Sequence, residues 1–189
     1  MAKNKGNILL KNFSGKIGDL FYLKNLGEDQ YLITNPSRKS HKKTEGEAAN
    51  QNRFKRAQKY GSNVIKNPEA KAFYTPFRTA KQAEYHIAQS DKLIPPVIDS
   101  YDSSGYKGLS GQPILIIATD NVKVVEVTCT LINAAGKILE TGRAEETGII
   151  NQWMYYGQKD HQLEEGSRLI LHAFDRPRNK AETIIPLIA

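Results

Sequence analysis

Two consecutive prolines, Pro95 and Pro96, stand near the middle of the chain in Leu93-Ile94-Pro95-Pro96-Val97. Each fixes its own φ, removes a backbone donor and restricts the residue before it, so neither a helix nor a central strand runs through the pair. Charge changes at the same point: 18 Lys and Arg against 8 Asp and Glu before it, 9 against 12 after it. The net +7 therefore joins a strongly basic half to a mildly acidic one. Hydrophobic spacing also changes, from a helical period to short alternating runs rich in Val, Ile and Thr. This reads as two modules, residues 1–94 and 95–189, joined by a stiff linker. Each is of a size that folds by itself, and 39% apolar with 25% charged residues is a globular composition.

In the first module, Asp19-Leu20-Phe21-Tyr22-Leu23 and Gln30-Tyr31-Leu32-Ile33-Thr34 are β-prone runs flanking Lys24–Asp29, which carries the Asn and Gly of a hairpin loop. Asn35–Lys43 follows, too polar to pack, with four basic side chains, Arg38, Lys39, Lys42 and Lys43. Thr44-Glu45-Gly46-Glu47 has capping-box spacing and predicts a helix start. Ala49, Phe54, Ala57, Gly61, Val64 and Ile65 then recur at helical spacing, with Arg53, Lys55, Arg56 and Lys59 mostly outside that stripe. Asn67-Pro68-Glu69 predicts a second helix, capped by Asn67 and broken or kinked at Pro76, with Phe73, Phe77, Ala80 and Ile87 on its buried side.

The second module alternates strand and turn: Pro113–Ala118, Val122–Ile132, Ile138–Arg143, Gln152–Tyr156, Arg168–Phe174 and Ala181–Leu187. That rhythm is the rhythm of a β-sandwich. Asp120-Asn121, Asn133–Lys137 and Glu164–Ser167 supply the turns, with Gly136 suited to a positive φ. Trp153 and Tyr155 share one strand face, and Trp153 reads as a core anchor. Cys129, the single cysteine, excludes an intramolecular disulfide and reads as a small residue in a strand.

Several segments carry a resemblance. Ala118–Val122, Val124–Thr128, Trp153-Met154-Tyr155, Glu165-Gly166-Ser167, Ala173-Phe174-Asp175 and Asn179-Lys180 resemble bacterial immunoglobulin-like domains, which carry an Asp after one strand, a Gly turn before the penultimate strand and a closing Asp followed by Gly-Asn. Here Arg178-Asn179 stands where Gly-Asn would, so the last turn departs from the pattern. Gly15-Lys16-Ile17-Gly18, the hairpin and Thr44–Ala57 are similar to the start of small uncharacterised Bacteroidota-type proteins that pair a basic module with an immunoglobulin-like one. The resemblance implies architecture only: an α+β N-terminal module of hairpin and helices, then an all-β immunoglobulin-like sandwich.

The chemistry-bearing residues do not assemble into an enzyme. His41, His86, His161 and His172 lack ligand spacing, and no nucleophile elbow, Walker loop or dinucleotide fingerprint occurs. No enzymatic activity, cofactor or metal is expected. Asp120 and Asp175 could meet at one end of a sandwich and hold Ca²⁺, but Asp in such turns serves first as a cap. The basic surplus points instead to a partner: nucleic acid or another polyanion held by Arg38, Lys39, Lys42, Lys43, Arg53, Lys55, Arg56 and Lys59, with Phe21, Tyr22 or Tyr31 stacking. The alternative is a structural subunit of a phage-like, contractile-injection or filamentous assembly, with the basic module on an acidic protein and the sandwich self-assembling. Lys11 and Asn12 cut short the apolar triplet Ile8–Leu10, so no signal peptide is read, and no run reaches the ~20 residues of a membrane span. The expected location is the cytoplasm, or a particle assembled there.

Overall fold

Strand-prone residues near the N-terminus form one antiparallel sheet of β1 (Ala2–Asn4), β2 (Gly15–Ile17), β3 (Phe21–Leu26) and β4 (Asp29–Thr34), in the order β1-β4-β3-β2. The computed structural model of the chain describes residues 2–4, 13–26, 29–34 and 43–187. The expected hairpin is β3–β4, but Lys24 and Asn25 pair with Tyr31 and Gln30 and so extend the strand instead of forming its loop. Polar side chains fit a strand wherever its face meets water. Among the described residues of this sheet only Leu23 and Gln30 are buried, and Gln30 Nε2 donates to the Phe13 carbonyl at 2.6 Å.

The chain divides into two compact units, Met1–Thr44 and Glu45–Ala189. The second opens with helix α1 (Glu45–Lys66), directly after Thr44. Asn67 then caps α2 (Pro68–Tyr74): its Oδ1 accepts from the N–H groups of Glu69 and Ala70, with Pro68 as the first helical residue. A 3₁₀ turn, Thr75–Phe77, holds Pro76 and ends the helix, and α3 (Glu84–Leu93) follows. Val64, Tyr74, Ile87 and Ala88 make the core of the three helices, with Phe73 and Phe77 packed on it. Ala49, Phe54 and Ile65 of the expected stripe are exposed, Phe54 by 48%, so α1 buries a narrower face than its sequence suggests. Ala80 is exposed as well, because the chain has left the helix by then.

At Gly61 α1 comes close to α3, since a Cβ there would lie 3.0 Å from the Tyr85 carbonyl oxygen and 3.1 Å from its ring. Gly61→Val is expected to destabilise this unit by about 1–3 kcal/mol through overpacking, readable as a lowered urea midpoint.

After α3 come β5 (Val97–Asp102), β6 (Pro113–Thr119), β7 (Val124–Ile132), β8 (Ile138–Arg143), β9 (Glu145–Glu146), β10 (Gln152–Tyr156), β11 (Arg168–Asp175) and β12 (Lys180–Pro186). They form two antiparallel sheets, β5-β6-β10-β9 and β12-β11-β7-β8. Alternation puts Ile114, Ile116, Trp153 and Tyr155 of one sheet and Val127, Cys129, Leu169 and Leu171 of the other into a single core, consistent with a sandwich. Gly136 takes φ 79° in the β7–β8 turn, as its position predicts.

The division of the chain differs from the expected meeting of modules at Pro95-Pro96. The helices belong with the sheets. Asn179 Nδ2 donates to the Asp91 carbonyl at 2.9 Å, Lys92 Nζ to the Pro177 carbonyl at 3.1 Å, and the Arg176 guanidinium lies 5.2 Å from the Phe73 ring centroid. Val122 packs on the helical core. The prolines are thus a joint within one unit, and Pro96 is buried. No described helix is long and apolar enough to cross a membrane.

Candidate polyanion-binding recess

Arg53 and Arg56, three residues apart on α1, open onto the same side of the helix. Arg53 Nη2 donates to the carbonyl of Leu93, the last residue of α3, where the helix leaves acceptors unused and its dipole is negative. That bond fixes the guanidinium beside Lys92 of α3. The turn between β11 and β12 returns the chain to the same place, and Lys180 follows it. An open recess of about 370 Å³ results, lined by Arg53, Arg56, Lys92, Leu93, Pro95, Asn179 and Lys180.

Among the described residues, four cationic side chains line this recess and no carboxylate does. Lys92 Nζ turns to two neutral oxygens, Pro177 O at 3.1 Å and Asn179 Oδ1 at 3.4 Å. Among the described residues, Lys180 alone of the four is paired with an acid, Glu182 Oε2 at 2.8 Å, with His172 Nε2 3.4 Å away. Arg53 and Arg56 form no ion pair with a described carboxylate. The Arg forks and Lys ammonium groups present donors that suit phosphate or carboxylate oxygens.

Of the eight expected binding residues, two come together here. Lys55 and Lys59 are exposed on α1 but do not line the recess. Lys43 is exposed just before α1, and Arg38, Lys39 and Lys42 lie outside the described residues. Lys92 and Lys180, the other two cations, carry no sequence signal. They are 88 positions apart, and nothing local marks either as a binding residue.

The expected stacking residues fall on the N-terminal sheet. Lys16 pairs with Tyr22, Tyr22 with Ile33, and Lys24 with Tyr31, and cross-strand partners share a face. That face carries Lys16, Tyr22, Lys24 and Tyr31, while Phe21 points to the other. Tyr22 is exposed and Tyr31 half-buried.

Next to Lys92, Asp91 is fully buried, and its Oδ2 accepts a hydrogen bond from Tyr74 OH at 2.5 Å. Tyr60 OH lies 2.9 Å from Tyr74 OH. Burial above all, with the Asp120 and Asp175 carboxylates adding, pushes the Asp91 carboxyl up to about 8 against the effect of the Tyr74 bond. Burial also raises Asp175, although Asn179 donates to both its oxygens at 2.6 Å. Asp120 caps its turn as expected, its Oδ2 accepting from the N–H groups of Val122 and Lys123 at 3.1 Å each. Nothing in the sequence marks Asp91 as a neighbour of these two, because a lone Asp near a helix end carries no signal. No family model matches this chain, and neither does any curated protein or solved structure compared with it.

Proposed function

We propose that this protein is a non-enzymatic binder of nucleic acid or a similar polyanion, with a sandwich of immunoglobulin-like type that makes protein contacts. The observation that carries the reading is the recess of Arg53, Arg56, Lys92 and Lys180, with no carboxylate among its described lining residues. Charge distribution supports it: residues 1–44 hold 9 Lys and Arg against 3 Asp and Glu. Lysines interleaved with Tyr22 and Tyr31 on one sheet face suit single strands, whose bases stack on aromatic rings while cations follow the backbone. Phosphate contacts of this type give affinity with little sequence preference.

The immunoglobulin-like assignment rests on strand order. Counted from β5, the sheets run first-second-sixth-fifth and eighth-seventh-third-fourth, which corresponds to the ABED and GFC arrangement with one added edge strand. Arg178, where the resembled domains have Gly, adopts φ 64°, so the turn keeps the backbone conformation a glycine would supply.

A titration with single-stranded DNA, duplex DNA and RNA across salt concentrations tests the function. Log affinity is expected to fall linearly with log salt. Combining Arg56→Glu with Lys180→Glu should weaken binding about tenfold or more and reduce the slope by about two. Reversing Lys107 and Lys137, which lie outside the recess, should have a smaller effect. A wild-type protein that ignores all three probes at low salt, or equal losses from both double variants, would refute the proposal.

The assembly reading has its own support in Ile149 and Ile150, exposed before β10, Ile150 by 87%. Particles that persist in sedimentation after complete nuclease digestion would favour it over nucleic-acid binding.

A further inference from the structure

We propose that Asp91, Asp120 and Asp175 together bind one Ca²⁺ ion where the end of α3 meets the β6–β7 turn and the end of β11. The three carboxylates come from separate parts of the chain, and each offers an oxygen within 4.8 Å of the others. Two Ca²⁺–oxygen bonds of about 2.4 Å span the same distance.

The stronger observation is the state of the oxygens. Asp91 and Asp175 are both 0% exposed. Asp91 and Asp120 each use Oδ2 for protein donors, Tyr74 OH in one case and the Val122 and Lys123 N–H groups in the other. Their Oδ1 atoms are buried and meet no donor. Leaving a buried carboxyl oxygen dry and without a donor is costly. Among the described residues no Lys, Arg or His forms an ion pair with any of the three. The nearby ammonium, Lys92 Nζ, donates to Pro177 O and Asn179 Oδ1 instead. Acceptors without donors or cations are what a hard metal ion satisfies.

Ca²⁺ fits better than Mg²⁺. A Mg²⁺ ion is usually bound through one or two carboxylates and keeps several waters, whereas Ca²⁺ accepts more carboxylate ligands in looser geometry. Asp120 is held by its turn and Asp175 by Asn179, so both ligands are positioned by the protein itself. The ion then ties α3 to both sheets and holds Lys92 in place, a role that does not depend on polyanion binding.

The test uses the full chain, stripped with chelator, with thermal unfolding followed as Ca²⁺ is added at constant ionic strength. At Ca²⁺ about 100-fold above Kd, the midpoint should rise by about 5–10 °C. Tb³⁺, a luminescent stand-in excited through Tyr74, should bind at one per chain and be displaced by Ca²⁺. Asp91→Asn and Asp120→Asn keep side-chain size and one acceptor oxygen each, and each should weaken Ca²⁺ about tenfold or more by removing a charged ligand. A wild-type chain with neither a midpoint shift at about 5 mM Ca²⁺ nor Tb³⁺ uptake in the absence of Ca²⁺ would overturn the site, whatever the variants do. So would a wild-type response retained in both variants, or a response to Mg²⁺ with none to Ca²⁺.

Discussion

Trp153→Ala is expected to destabilise the Glu45–Ala189 unit by about 3–5 kcal/mol, the range for emptying a large buried aromatic site. Trp153 is 6% exposed and sits on β10 opposite Ile116, in the core shared by both sheets. Its outer edge lines a groove together with Phe77, Val122 and Val124. Collapse onto the vacated volume is limited because Ile114, Ile116 and Leu171 are already fully buried. Urea unfolding followed by circular dichroism measures the loss, since the variant has no tryptophan to report on. Acrylamide should barely quench Trp153 in the native wild-type protein. A loss below about 1 kcal/mol would mean that the ring is not a core anchor.

A comparable loss, with a distinct pH signature, is expected for Glu140→Gln. Glu140 is 6% exposed on β8, and its carboxylate is surrounded by donors. Oε1 accepts from Tyr155 OH and from the Gln158 N–H at 3.0 Å, and Oε2 from the Lys159 N–H at 2.9 Å with His161 Nε2 at 3.1 Å. Burial works against the charge, but these four partners outweigh it and hold the carboxyl below its ordinary 4.5. Tyr106 and Cys129, both raised to about 12 by burial and by Glu140, complete its titratable surroundings. A depressed carboxyl stabilises the fold above its unfolded value, and that contribution is lost as pH falls through the folded value. The variant should therefore be about 2–4 kcal/mol less stable than wild type at pH 7, because an amide cannot accept at both ends. The difference should narrow steadily below about pH 4.5. A constant gap from pH 7 to pH 3 would show that the charge is not what Glu140 contributes.

Local chemistry made much of this fold legible. Asn67-Pro68 forecast a helix cap that forms as read, Pro76 a helix end, and Gly136 a left-handed turn residue, because each depends on a residue's own backbone preferences. Alternation likewise placed six strands near their observed limits and put Trp153 and Tyr155 inside. The double proline ended α3, as it must. What it could not settle was whether the segments on its two sides pack together, since φ restriction acts on one residue while packing is decided across the chain.

Charge was the least readable feature. Glu140 looks like any surface acid in a strand, and Asp91 like any acid in a helix; only the fold encloses them and supplies or withholds their donors. The basic surplus was visible as a count, and it named Arg53 and Arg56. Tertiary structure alone brought Lys92 and Lys180 beside them, and set Asp91 against Asp120 and Asp175. An ionisable group's role depends on which charges and dipoles lie within a few ångströms, and those neighbours come from segments that sequence separation does not connect.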